Sequence, residues 1–80
     1  MISSAQIKGA RALLGVSAEK LADIAQVNLK TIQRFERADG IPKSRSGTLQ
    51  RVKDTLENAG IQFIGDPKHS PGVRLRRPGD

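Results

Sequence analysis

In the stretch "NLKTIQRFERADGIPKSR", Lys30, Arg34 and Arg37 are long cationic side chains, and Gln33 sets an amide among them. Placed at 100° per residue, the three cations fall within about 60° of one another, opposite Ile32 and Phe35, with Leu29 at the margin. A helix divided in this way has two readings. Any surface helix carries a polar, solvated face. A short helix that follows another across a tight break, with its first turns free to project, also has the dimensions to enter the major groove of DNA. Long hydrogen-bonding side chains are what base edges require there. The preceding "VSAEKLADIAQV" supplies such a first helix and break.

The remaining composition narrows the chemistry. A chain of 80 residues is one small domain, and a domain of that size buries only about 60% of the surface its unfolded chain exposes, so its stability is expected to be marginal and oligomerisation is one source of help. With no cysteine and one histidine, His69, a disulfide framework and a Cys/His zinc site are both excluded, and a cytoplasmic setting is expected. His69 stands in a loop beside Ser70 and Pro71, where an exposed imidazole is the default. There is no glycine-rich phosphate loop and no Ser/His/Asp spacing, and the carboxylates are scattered; no enzymatic activity and no cofactor are expected. The apolar runs fall far short of the roughly 20 residues that cross a bilayer, and the N-terminus has no signal-peptide pattern, so no membrane association is expected. A formal net charge of +6 and a pI near 10.6 favour a polyanionic partner, most simply nucleic acid.

Several elements must position these residues. Ser3 or Ser4 caps a first helix running to about Leu14, with Ile7, Ala10 and Leu14 on one face and Gly15 as its stop. Ser17 caps a second helix, with Glu19 in its first turn and Leu21, Ala22, Ile24 and Ala25 as an apolar stripe ending near Gln26. Asn28 caps a third through about Arg37, and "ADGIPKSRSG" breaks it. Ser46 is expected to cap a fourth, with Leu49, Val52 and Leu56 inward and Gly60 closing it. Beyond Gly60 the period changes: "IQFI" and "GVRLR" alternate as half-buried strands. Their connector, "GDPKHSPG", is longer than most hairpin loops, so the strands pair either with each other or with a second chain. The expected fold is mainly α: a compact four-helix DNA-binding domain over 1–60, followed over 61–80 by a short C-terminal strand pair and a frayed "RPGD" tail.

Two charges give an internal check. Arg11 lies one turn after Ile7 and Glu36 one turn after Ile32, so both point towards the core. Unpaired, each would cost several kcal/mol, roughly, so they are expected to pair as a structural clamp on the third helix.

The register of Leu21, Ala22, Val27, Thr31, Ile32 and Glu36 in "LADIAQVNLKTIQRFE" resembles the helix-turn-helix of the lambda repressor and Cro type, also called XRE-like. The likeness runs from Ser3 to about Leu56. It departs at Gln26, where the family usually has glycine; a left-handed conformation there would cost about 1 kcal/mol. The resemblance implies that Leu29, Lys30, Gln33 and Arg34 face base edges. Lys30 and Arg34 would donate to guanine O6 and N7, Gln33 would pair with adenine, and Leu29 would touch a thymine methyl or else finish the core. Ser17, Ala18, Asn28, Arg37, Lys43, Ser44 and Arg45 would meet phosphates. Arg51 and Lys53 read as surface charge; Arg74, Arg76 and Arg77 are either a solvated strand face or an auxiliary DNA contact.

These readings lead to a sequence-specific double-stranded DNA-binding transcriptional regulator, a repressor acting as a homodimer on a palindromic operator, of the kind found in bacteria, phages and mobile elements. No small-molecule ligand is expected. Because a lone hairpin is marginal and an exposed strand edge invites pairing, Ile61, Phe63, Val73 and Leu75 are the expected dimer interface. The alternative is a protein-interaction module of the same fold, antitoxin-like or docking to another regulator.

Overall fold

The computed structural model describes residues 1–77. Four helices come first, α1 (Ser4–Leu14), α2 (Ala18–Ala25), α3 (Leu29–Arg37) and α4 (Thr48–Asn58), and a two-stranded antiparallel sheet, β1 (Ile61–Ile64) and β2 (Gly72–Leu75), follows. The molecule is thus mostly helical. No helix among the described residues is long and apolar enough to cross a membrane.

Local chemistry sets the boundaries. Ser3, not Ser4, caps α1: its Oγ accepts from the Gln6 N–H while the Gln6 Oε1 accepts from the Ser3 N–H at 2.9 Å, a reciprocal capping box. Ser4 turns elsewhere, donating its hydroxyl to the Ala38 carbonyl at 2.7 Å and its N–H to the Gly40 carbonyl, which ties the start of α1 to the chain leaving α3. Gly15 ends α1 at φ 70°. Ser17 and Asn28 cap α2 and α3. Ser46 does not cap α4 as expected. The N-cap is Gly47, at φ 69°, because the chain must pass through a left-handed turn to enter α4. The hydroxyl that reaches into the first turn is that of Ser44, which accepts from the Leu49 N–H at 3.0 Å.

The core is a single cluster. Ile7 and Ala10 of α1, Leu21 of α2, Ile32 and Phe35 of α3, and Val52 and Leu56 of α4 are buried together with Ile2 and Ile61. The two strands pair within the chain, Ile61 opposite Leu75 and Phe63 opposite Val73. This places the four residues expected at a dimer interface on the inward face of the hairpin: Ile61 is buried, and Phe63, Val73 and Leu75 are half-buried against the same core. They close the chain's own core because α1 and α4 leave its open side to be covered. The apolar side chains left outside nearby are Leu13 and Ile64.

The hairpin is fastened to α1 by two residues. The amide of buried Gln6 donates to the carbonyls of Gly72 at 3.0 Å and Ile64 at 3.3 Å. A turn further on, Gly9 has no side chain, and a Cβ there would stand 3.0 Å from Val73 Cγ2, so β2 approaches the helix closely at that point.

Candidate nucleic-acid interface

The third helix separates its two faces as its sequence dictates. Ile32 and Phe35 are buried, while Lys30, Gln33, Arg34 and Arg37 are exposed, and Leu29 is half-buried against the core. Asn28 Oδ1 accepts from the Lys30 N–H at 2.8 Å, so this side chain is already engaged as a cap. The connection from α2 is short because Gln26 takes a left-handed conformation, φ 57° and ψ 47°, where glycine would be unstrained. Arg51, read from sequence as surface charge, reaches from α4 to donate to the Gln26 carbonyl at 3.3 Å, steadying that turn from outside. Only its contact betrays the role, since an exposed arginine at a helical position carries no such mark in the sequence.

Glu36 fixes α3 from behind. Arg11 donates from Nε to Glu36 Oε2 at 2.6 Å and from Nη2 to Oε1 at 2.7 Å, a bidentate pair, and its Nη1 donates to the Val16 carbonyl at 3.1 Å. Both side chains are mostly shielded. The hydrogen bond to Glu36 raises the Arg11 pKa, and it outweighs burial, which acts to lower it.

The other wall is the loop between α3 and α4. Arg34 Nη1 donates to the Lys43 carbonyl at 2.9 Å, with the guanidinium 5.0 Å from the centre of the Phe35 ring. Between helix and loop lies an open groove of about 580 Å³ lined by Thr31, Arg34, Lys43, Ser44, Arg45, Ser46 and Thr48. Two arginines, a lysine and four hydroxyl-bearing residues line it with no acidic residue, a composition suited to anionic oxygens. The structure therefore brings Arg34 together with Lys43, Ser44 and Arg45. Ser17, Ala18, Asn28 and Arg37 line no part of this groove; the Ser17 hydroxyl caps α2, accepting from the Lys20 N–H at 3.0 Å. No cluster of His, Cys, Asp or Glu among the described residues is arranged to hold a metal ion.

No protein-family model matches the chain, and no curated protein matches it either.

Proposed function

We propose that the chain is a sequence-specific double-stranded DNA-binding transcriptional regulator of the lambda repressor and Cro type, with α2 and α3 as its helix-turn-helix. The observation that carries this reading is the outward face of α3, where Lys30, Gln33, Arg34 and Arg37 stand exposed beside the basic groove on a helix anchored by Ile32, Phe35 and the Arg11–Glu36 pair. In this reading α3 enters the major groove. Lys30 and Gln33 meet base edges, and Arg34, oriented through Nη1 by the Lys43 carbonyl, presents its Nε–Nη2 edge to guanine O6 and N7. Leu29 contributes the part of its side chain that the core leaves uncovered. Lys43, Ser44 and Arg45 hold one phosphate stretch, and Ser17, Ala18, Asn28 and Arg37 flank it, fixing register without reading sequence.

One such helix spans too few base pairs for specificity in a genome, so two copies act on half-sites one helical turn apart and repress by occluding a promoter. Selection from a random DNA pool, followed by mobility shift in competitor DNA, tests the reading. A recovered palindromic motif giving discrete bands supports it. A salt-sensitive smear with every fragment leaves only a generic basic protein or a protein-interaction module.

A further inference from the structure

The hairpin carries an unused edge. The Arg76 N–H donates to the Gly60 carbonyl at 2.8 Å, which sets the parity of the ladder: Gln62 faces Arg74, and Ile64 faces Gly72, as hydrogen-bonded pairs. The N–H and C=O groups of Val73 and Leu75 therefore point away from β1, and among the described residues they meet no backbone partner there. Alongside runs an open groove of about 600 Å³ lined by Leu13, Ile64, Val73, Arg74, Leu75 and Arg77. Leu13 and Ile64 are 42% and 41% exposed, no more than Ile24 of α2, but unlike Ile24 they line one groove together. Gly72 lets Ile64 lie across β2: a Cβ at Gly72 would stand 3.0 Å from Ile64 Cγ1. Apolar floor, unpaired strand edge and arginine rim thus occur together, and the groove shares no residue with the one beside α3.

We propose that the β2 edge binds an extended segment of another protein, one that alternates acidic with apolar side chains and adds to the hairpin as a third strand. Strand addition satisfies the outward amides and carbonyls of Val73 and Leu75; the apolar positions, on the Val73 and Leu75 face, cover Leu13, and the acidic positions stand on the Arg74 face, where their methylene stems lie over Ile64. Charge selects the occupant. A second copy pairing antiparallel about Arg74 sets that residue opposite itself, and pairing about Leu75 sets Arg74 opposite Arg76 of the other copy; like charges directly opposite are destabilising, and pairing about Val73 sets Leu75 opposite Pro71, which has no N–H to donate. An acidic strand turns the same positions into attractions. A nucleic acid could meet the arginines but offers nothing in register with the strand edge and leaves Leu13 and Ile64 uncovered.

The probe is a capped peptide of alternating Glu and Val, added to the isotope-labelled full chain and followed by amide exchange and chemical shift. In the free protein the Val73 and Leu75 amides exchange faster than those of Gln62 and Arg74. The acidic peptide slows the first pair about tenfold or more. A Lys/Val peptide, and a Glu/Val peptide with alternate amides N-methylated, each bind about tenfold more weakly or worse. Arg74→Glu, at an exposed position whose side chain among the described residues bonds only the Gln62 side chain, reverses the preference between the charged peptides while the helix amides keep their protection. Equal binding of the acidic and basic peptides overturns the proposal, as does binding that leaves Val73 and Leu75 unprotected. Protection of those amides by self-association alone gives the edge to a second copy. Protection by duplex DNA, lost in Arg74→Glu, gives it to nucleic acid. The last two also overturn the proposal, and none of these results bears on base reading by α3.

Discussion

α1 holds two different things by two different means. On one side it grips α3 through a charged, bidentate pair, Arg11 to Glu36. On the other it grips the hairpin through a neutral amide, Gln6, and an absent side chain, Gly9. The charged grip is directional and holds only while both partners are present, because losing one leaves the other shielded without compensation. The neutral grip closes two carbonyls and allows intimate packing, but its energy is spread over ordinary hydrogen bonds and contacts. The helix expected to read DNA is thus held rigidly in orientation, while the element that completes the core is held by fit.

Breaking the charged grip gives the largest expected effect. Glu36→Ala strands a guanidinium that keeps only the Val16 carbonyl, and the loss should be about 3 kcal/mol, read from urea unfolding. That is a large share of the roughly 5–10 kcal/mol available to a domain of this size. Arg11→Met combined with Glu36→Leu should recover most of it, since an apolar pair needs no desolvation of charge. A double variant as unstable as the single one would mean that the position, not the ion pair, is what α3 depends on.

The neutral grip breaks more gently and more locally. Gln6→Glu keeps the oxygen that caps α1 but removes the amide that donates to Ile64 and Gly72, and at pH 8 a carboxylate facing two carbonyls should cost about 2 kcal/mol. Hydrogen exchange should show the hairpin amides losing protection while those of α1 retain theirs. Burial and the carbonyls raise the pKa of the introduced acid, so the defect should shrink as pH falls, when the protonated form can again donate. DNA affinity should be nearly unchanged, because the hydrogen bonds of Gln6 go to Ser3 and the hairpin and none goes to α3.

In the proposed complex with DNA the same contrast separates reading from holding. Arg34→Ala should cost about 2 kcal/mol on the selected site and flatten preference at one base, with little change on scrambled DNA. Arg45→Ala should weaken all sequences alike and lower the slope of log affinity against log salt by about 1. Since reading by Arg34 and holding by Arg45 are separate contacts, the double variant should come close to additivity on the selected site; a shortfall would mean that loss of the bond from Arg34 to the Lys43 carbonyl has already loosened the loop. Equal loss on cognate and scrambled DNA from Arg34→Ala would remove Lys30, Gln33 and Arg34 from base edges together.

The charged grip was legible in the sequence and the neutral one was not, and the reason is physical. Arg11 and Glu36 stand at positions where the helical period points inward, and a shielded charge must find its opposite, so two facts sufficed. Gln6 satisfies a local rule, the capping box, that hides its long-range bonds, and Gly9 reads as a blemish in a helix until the strand against it is seen. The caps at Ser17 and Asn28 act within a few residues and could be anticipated. Ser44 could not, because the left-handed entry at Gly47 moves the useful hydroxyl from the expected Ser46 two residues upstream. Alternation identified the inward face of the strands but left open whose core it would enter, since half-buried alternation is the same for an intrachain hairpin and a shared sheet.

Gln26 predicts a smaller effect of opposite sign. Its left-handed backbone costs about 1 kcal/mol that glycine would not incur, while glycine loses more chain entropy on folding, so Gln26→Gly should stabilise by only about 0.5 kcal/mol. Thermal unfolding is sensitive enough to show it. The Arg51 bond is made to the backbone carbonyl and survives the change. Destabilisation instead would mean that the Gln26 side chain contributes something beyond its conformation.

The least effect, and the most local, belongs to the connector between the strands. Asp66 Oδ1 accepts from the N–H groups of Lys68 at 2.8 Å and His69 at 2.9 Å, and these bonds, the one from His69 first, hold the Asp66 carboxyl below its ordinary value of 3.8. A depressed carboxylate favours the ordered turn wherever it is ionised: the contribution is present above the ordinary value and is lost as pH falls through the lower, folded-state one. Because the group is fully exposed, the change should stay within the loop and leave global unfolding almost unaltered. Amide shifts of Lys68 and His69 should therefore titrate at a pH below 3.8, and Asp66→Asn should abolish that titration while the Val73 and Phe63 resonances stay in place. If the hairpin resonances move with the turn, the connector helps to set the strand register and joins Gln6 and Gly9 in seating the hairpin on α1.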